Sequence, residues 1–320
     1  MGVLFIMLDS YLSQLDWSRE PQGLYAPIAY TLASGGKRIR PTLALIACRL
    51  FGGKEEEVVP AALALEVFHN FTLLHDDVMD KAAVRRGRPT VHVKWDDNTA
   101  ILSGDQMMIE AYKLLSQVRE EKLPQVLRLF NKMATEICEG QQYDVDFERR
   151  DDVSLDDYMM MIRLKTSVLL ATALQIGAYI ADATEAQQQA LYDFGIHIGL
   201  AFQLQDDILD VYGDPATFGK AIGGDILCNK KTYMLLTALQ RAEGETRQAL
   251  QGWMADSSHS AAEKIAAVTD IYTRLGVREV CEQVMAEHTH DALRLLETLP
   301  QNEATEQLRA LAEKLMKRKE

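Results

Sequence analysis

Residues Pro60 to Lys81 read PAALALEVFHNFTLLHDDVMDK. Almost as far as its last turn the segment is apolar all round, and a helix of that kind belongs in the centre of a bundle rather than on its surface. It then ends in Asp76, Asp77 and Asp80. A second buried helix is expected over Gly195 to Val211, and it ends in the same way, in Asp206, Asp207 and Asp210. Offsets of 0, 1 and 4 bring the acids of each DDxxD within roughly a 100° arc of one helix, so they are expected to converge.

Acidic runs are ordinarily solvated helix faces. These sit instead at the C-terminal ends of apolar helices, where the macrodipole disfavours negative charge. Clustered carboxylates also repel one another unless cations hold them. Oxygen ligands without His or Cys suit a hard cation, and magnesium binds through a carboxylate or two together with substrate phosphates. Facing DDxxD motifs imply a diphosphate held between magnesium ions.

The rest of the chain agrees with a helical frame. Its 320 residues are 48% hydrophobic and 25% charged, an ordinary globular composition. The 8 Pro and 19 Gly are too few to punctuate an all-β or alternating fold. Apolar residues recur at helical spacing, as at Leu43, Ile46, Ala47 and Leu50, or Leu123, Val126, Leu127 and Phe130. Breaks are expected at Ser34 to Gly36, Gly52-Gly53, Arg86 to Pro89, Gly140, Gly213 to Pro215, Gly223-Gly224 and Pro300, giving about a dozen helices. The fold class is therefore all-α, in one domain spanning residues 1–320, with amphipathic helices on the outside from about Glu243 onward.

A net charge of -13 excludes a nucleic-acid surface, so any anionic ligand must meet a local basic pocket. Cys48, Cys138, Cys228 and Cys281 lie far apart, and read as small buried hydrophobes of a cytoplasmic protein. The longest apolar run, Val168 to Ala181, is too short for a membrane span. Val3 to Leu8 has no basic residue before it and reads as a first, partly exposed helix rather than a signal peptide.

Basic residues cluster at the breaks: GGKRIRP at Gly35 to Pro41, Arg85-Arg86-Gly87, Lys165-Thr166, Gly219-Lys220 and Lys230-Lys231-Thr232. Guanidinium forks and ammonium groups placed there can bind phosphate. Two groups of cations suggest two diphosphates.

FHNFTLLHDDVMDKAAVRRGRPTVH and FQLQDDILD closely resemble the two aspartate-rich motifs of the trans-isoprenyl diphosphate synthases. GGKRIRP, LKT, FGK and DILCNKKTY match the rest of that family's pattern in order, over roughly residues 30–240. The resemblance implies an antiparallel helical bundle around a deep apolar cavity, a homodimer, and magnesium as cofactor, three ions with diphosphate bound. It implies condensation of isopentenyl diphosphate with an allylic diphosphate.

Carried over by residue, Asp76, Asp80 and Asp206 become magnesium ligands, with Asp77, Asp207 and Asp210 holding waters or neighbouring ligands. Arg85, Lys165, Lys220 and Lys230 become the allylic diphosphate cations; Lys37, Arg40, His69 and Arg86 hold isopentenyl diphosphate. Thr166 and Gln203 face the developing allylic cation. One departure is Cys228-Asn229 before Lys230, where relatives often carry an acidic or small residue and Gly. Gly213 to Gly224, with Lys220 inside, reads as a lid. For product length the family gauges depth along the first DDxxD helix. Phe71 with Phe68 below it makes a shallow floor, and Thr72 in place of a second aromatic tilts the product towards geranylgeranyl, with farnesyl diphosphate close behind.

Three other readings compete. Glu66-x-x-His69 and Glu287-x-x-His290 have the spacing of a di-iron site, but such a site needs single Glu residues from two further helices. A terpene cyclase mixes Asn, Ser or Thr and Glu in its second metal motif, where this chain has DDILD. A non-catalytic subunit is expected to have lost an acidic motif.

Overall fold

The computed structural model describes residues 2–214, 222–256 and 258–316, without the side chains of residues 2–6 and 315–316. In chain order the helices are α1 (Gly2–Ser13), α2 (Gln22–Leu32), α3 (Ile39–Leu50), α4 (Glu55–Met79), α5 (Val91–Lys94), α6 (Asp97–Leu115), α7 (Leu123–Phe147) and α8 (Leu155–Ile162). A π turn (Arg163–Ser167) leads into α9 (Val168–Ile180) and α10 (Glu185–Tyr212). After these come α11 (Gly224–Leu227), α12 (Tyr233–Arg241), α13 (Gly244–Ala255), α14 (Ala261–Arg274), α15 (Val277–Glu297) and α16 (Glu303–Met316). Among the described residues the strand content is β1 (Val84–Arg85) and β2 (Arg88–Pro89), so the all-α expectation holds.

The chain divides into two compact units. Unit one comprises residues 1–132, 172–192 and 299–307; unit two comprises residues 133–171, 193–298 and 308–320. Four of the five crossings fall inside α7, α9, α10 and α16 rather than in linkers.

Unit one is built on α4, which packs on α3 and α6. Glu55, Glu56 and Glu57 complement the positive end of its dipole, and Val58 to Phe68 are buried apart from Pro60. The helix starts five residues before the expected Pro60, which lies inside it in the second turn. At the far end Asp80 caps it, its N–H donating to the Asp76 carbonyl at 2.8 Å. The expected break at Arg86 to Pro89 is a hairpin. Arg86 (φ 52°) and Gly87 (φ 72°) are both left-handed, as the tight turn between two twisted strands requires. Tyr30 of α2 ties this hairpin down: its hydroxyl donates to the Pro89 carbonyl at 2.8 Å, and its ring takes the cations of Arg88 at 4.1 Å and Lys94 at 3.9 Å.

In unit two, α7 runs straight through Gly140, where the sequence predicted a break. A Cβ there would lie 2.4 Å from the Lys165 nitrogen. Glycine is required by close approach of α7 to the π turn, and one glycine inside a helix of 25 residues costs only about 1 kcal/mol. The second expected core helix begins earlier than Gly195 and is α10, with Phe194, Leu204, Ile208 and Leu209 buried.

Two expectations need correction. Cys48 and Cys281 are buried, but Cys138 and Cys228 are exposed. Two helical stretches, α4 and residues Leu155–Ile180, reach a length and mean hydropathy (1.3) sufficient to cross a membrane. Two thirds of each apolar window is buried within the chain, so core packing accounts for their composition.

Candidate active site

In unit one the tip of α4 and the hairpin carry Asp76, Asp77, Asp80, Arg85 and Arg86 of the expected residues. The acids do not behave alike. Asp76 is half-buried and Asp80 exposed, whereas Asp77, 100° away on the helix, is buried and accepts from Arg85 Nε at 2.8 Å. Burial pushes the Asp77 carboxyl above its usual range, and the Arg85 guanidinium opposes that rise.

Beside them lies a basic pocket. Arg86 Nη1 donates to the Gly35 carbonyl, and its guanidinium covers Gly36, where a Cβ would lie 2.9 Å from Nη2. Arg40 Nε is buried with no hydrogen-bond partner, and burial pushes its guanidinium down to about 10. The His69 ring is held neutral, well below its ordinary value, by burial and then by the charges of Arg40, Arg86, Arg85 and Arg38. A desolvated group of cations of this kind is stable only when an anion answers it. Glu66 answers part of it by accepting from Arg38 Nη1 at 2.8 Å, in a pair that is 3% exposed on both sides. Arg38 is thus structural. The Glu66 pairing also removes the di-iron reading, and Glu287 and His290 are exposed to solvent.

Unit two contains a pocket of about 150 Å³ lined by Lys165, Thr166, Gln203, Asp206, Asp207, Asp210 and Lys230, all expected from the sequence. Asp225 and Thr232 of DILCNKKTY line it too, as do Asp144 and Tyr158, which sequence reasoning missed. Asp144 accepts from Lys165 Nζ at 2.6 Å and lies 3.6 Å from Lys230 Nζ. Burial works against its charge, but the ammonium groups of Lys230 and Lys165 outweigh burial and hold it below the usual carboxylate range. Thr166 Oγ1 donates to Gln203 Oε1 at 3.4 Å, which sets both oxygen-bearing side chains on one wall. The π turn itself presents Lys165 and Thr166; such insertions in helices often mark functional sites.

The second motif repeats the pattern of the first. Its middle acid, Asp207, is buried and accepts from the Tyr158 hydroxyl at 2.5 Å, the Tyr233 N–H at 3.1 Å and Gln203 Nε2 at 3.3 Å. Burial, and then the charge of Asp225, push its carboxyl up to about 7. Asp210 accepts from the Asp225 N–H at 3.0 Å and so orders the start of α11. In each motif the middle acid anchors its helix, while in the second all three acids line the one pocket. Lys220 and residues 215–221 of the expected lid lie outside the described residues.

No His or Cys lines the unit-two pocket, and its acids offer oxygen alone. Among the described residues no three such side chains draw close enough to complete a metal site unaided. An oxygen-only donor set of this kind fits a hard cation whose shell is finished by phosphate oxygens and water.

The polyprenyl synthetase family model matches residues 21–272. The geranylgeranyl diphosphate synthase of Methanosarcina mazei is 40% identical over 236 residues, 73% of each chain. The geranylfarnesyl diphosphate synthase of Aeropyrum pernix is 38% identical over 244 residues, 74% of this chain and 76% of that one. A crystal structure of a geranylgeranyl pyrophosphate synthase superposes with a TM-score of 0.93 at 44% identity, covering 100% of this chain and 98% of the other.

Proposed function

The chain belongs to the polyprenyl synthetase family, and we propose that it is a short-chain trans-isoprenyl diphosphate synthase making chiefly geranylgeranyl diphosphate. The observation that carries this reading is the unit-two pocket, where lysines, carboxylates and two oxygen dipoles line one small space. A structural helix bundle gains nothing from such a pocket, and a non-catalytic subunit would not keep both acidic motifs intact.

In this mechanism Lys165 and Lys230, with Arg85 and Lys220, bind the allylic diphosphate. Lys37, Arg40, His69 and Arg86 bind isopentenyl diphosphate, which supplies the anion that the half-buried cations of unit one call for. Asp76, Asp80 and Asp206 would hold magnesium, which when bound would supply neutralisation of the charge growing on the leaving diphosphate. The allylic C–O bond breaks, and Thr166 and Gln203 turn their oxygens to the resulting cation. The double bond of isopentenyl diphosphate then forms the new C–C bond. The tertiary cation left on the isopentenyl unit then loses a proton from its C2, the C–H electrons forming the new double bond. That proton passes to the departed diphosphate, because no histidine lines the pocket and Asp144 and Asp207 are already bonded, to Lys165 and to the Tyr158 hydroxyl and Tyr233 N–H. The apolar walls Met161 and Ile162 keep water from the cation.

The test is incubation with labelled isopentenyl diphosphate and dimethylallyl, geranyl or farnesyl diphosphate, with products resolved by length. A C20 product made only when isopentenyl diphosphate is present is expected. Cyclised hydrocarbon from an allylic diphosphate alone would overturn the reading. The assignment of unit one to isopentenyl diphosphate predicts that Arg86→Ala raises the KM for that substrate by about ten- to a hundredfold, the loss of a charge-assisted bond of roughly 1.5–3 kcal/mol. Its effect on the allylic KM is expected to be small; an equal rise in both would merge the two pockets into one patch.

We also assign residues 1–320 to one domain, given the crossings inside helices, and to a homodimer. Ile101, Leu102, Met108, Ile109 and Tyr112 of α6 are 36–58% exposed and share one side of the helix. A contiguous apolar stripe of this kind ordinarily meets a partner, and a second copy of the same stripe is self-complementary about a two-fold axis. Sedimentation at twice the chain mass is expected, with Ile109→Glu shifting it to the monomer. A wild-type chain that sediments as a monomer at micromolar concentration would rule the dimer out.

A further inference from the structure

Lys230 is delivered to its pocket by residues 228–232, the loop between α11 and α12. The loop begins as a helix end of defined geometry: the Lys230 N–H donates to the Asp225 carbonyl at 2.9 Å and the Asn229 N–H to the Ile226 carbonyl at 3.2 Å. That paired arrangement needs a left-handed residue between the helix and Lys230. Asn229 provides it, with φ 50°. Glycine adopts this conformation without penalty, and asparagine does so more readily than other side chains.

Here the asparagine adds something that glycine cannot. Its Nδ2 donates to the Met254 carbonyl of α13 at 2.8 Å. On the inner side, the Lys230 ammonium lies 3.6 Å from Asp144, the carboxylate that also takes Lys165. The outer side of the loop borders an open cleft of about 1030 Å³ lined by Cys228, Asn229, Lys231 and Met254 among others. Leu227 and Cys228 are exposed there, so packing does little to fix that side of the loop. The side-chain bond to α13 fixes it instead.

We propose that Asn229 is a positioning residue for Lys230, holding the loop to α13 so that the ammonium stands beside Lys165 before substrate arrives. This rests on the reading of Lys230 as a cation for the allylic diphosphate. Pre-placing a long, flexible lysine removes an ordering cost from binding, so the effect is expected in affinity for that one substrate.

Asn229→Gly keeps the left-handed backbone and removes only the donor, and steady-state kinetics with each substrate varied in turn reads the result. A rise of about five- to tenfold in the allylic KM is expected, in line with one lost hydrogen bond, with kcat and the isopentenyl diphosphate KM within about twofold. In a Lys230→Ala background the same change is expected to add nothing. An unchanged allylic KM, a parallel rise in both KM values, or effects that multiply in the double variant would each overturn the proposal. Lys230→Ala without effect on the allylic KM would instead sink the assignment of Lys230, whatever Asn229 does. Should Asn229→Gly melt early, Asn229→Asp carries the same comparison, since it keeps the shape and the left-handed tolerance but has no N–H to donate.

Discussion

Asp206→Ala is expected to lower condensation turnover by about 10²- to 10³-fold or more, the loss that follows removal of one group stabilising charge in a transition state. Asp76→Ala is expected to do the same. The helical fold is expected to survive both, for a reason visible in unit two. The tip of α10 is anchored through Asp207, which takes the Tyr158 hydroxyl and the Tyr233 N–H, and Asp206 stands apart from those bonds. Taking a carboxylate out of a pocket that also holds Asp210 and Asp225 relieves repulsion, so the melting temperature should hold or rise. Asp207→Ala is the contrasting variant, since it strands a buried tyrosine hydroxyl and a buried amide at about 1–3 kcal/mol for each.

The pH dependence separates the two acids further. The folded-state pKa of Asp207 is raised from 3.8 to about 7, so its contribution to stability is fully present below 3.8 and lost as pH rises through about 7. Asp207→Asn, which cannot ionise, is therefore expected to flatten the fall in melting temperature over that window, while Asp206→Ala leaves the fall in place. Rate measurements in saturating magnesium and circular-dichroism melts check both statements. Near wild-type turnover in Asp206→Ala would show the assigned site to be wrong.

The anchors were the part of the site that the sequence could not disclose. The helical period of Pro60 to His75 and the doubled DDxxD made the two core helices and their acidic tips legible, because burial and offset along one helix are local properties. Which of three acids turns inward depends on what lies opposite: Arg85 on the hairpin for Asp77, Tyr158 on α8 for Asp207. Asp144 carries no local signal at all, and Asp225, which opens DILCNKKTY, was given no role there. Asp144 sits in QQYDVDF with the look of a solvated face, and only the approach of α7 to the π turn, permitted by Gly140, brings it to Lys165. The same glycine misled the sequence reading into a helix break. Basic residues were legible as a set but not as individuals: the buried role of Arg38 follows from its bond to Glu66, twenty-eight residues along the chain.

Phe71→Ala is expected to move the main product beyond geranylgeranyl diphosphate, and Phe71→Ala with Phe68→Ala further still, while Thr72→Phe shortens it. At about 1.5 Å per residue the Phe71 Cα lies roughly 7.5 Å along α4 from Asp76, and that of Phe68 roughly 12 Å. The two rings meet at 5.4 Å, and Phe71 also packs edge-on to His75 at 4.8 Å. They differ in depth. Phe71 is half-buried, so truncating it opens space beside the motif at less than the full cost of a core Phe→Ala change, about 3–5 kcal/mol. Phe68 is 1% exposed and packs edge-on to Phe130 at 5.1 Å, so its loss carries that full cost. The single Phe71 variant therefore reads the floor on an intact fold, and the double variant must be read beside its melting temperature. Thr72 is half-buried, and its hydroxyl donates to the His69 carbonyl one turn back, so a phenylalanine there exchanges a local bond for a ring beside Phe71. Product lengths resolved by chromatography from a common dimethylallyl diphosphate primer decide the matter. A double variant that stays folded and active and still stops at C20 would place the floor elsewhere, and would leave Phe68 and Phe71 as ordinary core aromatics of α4.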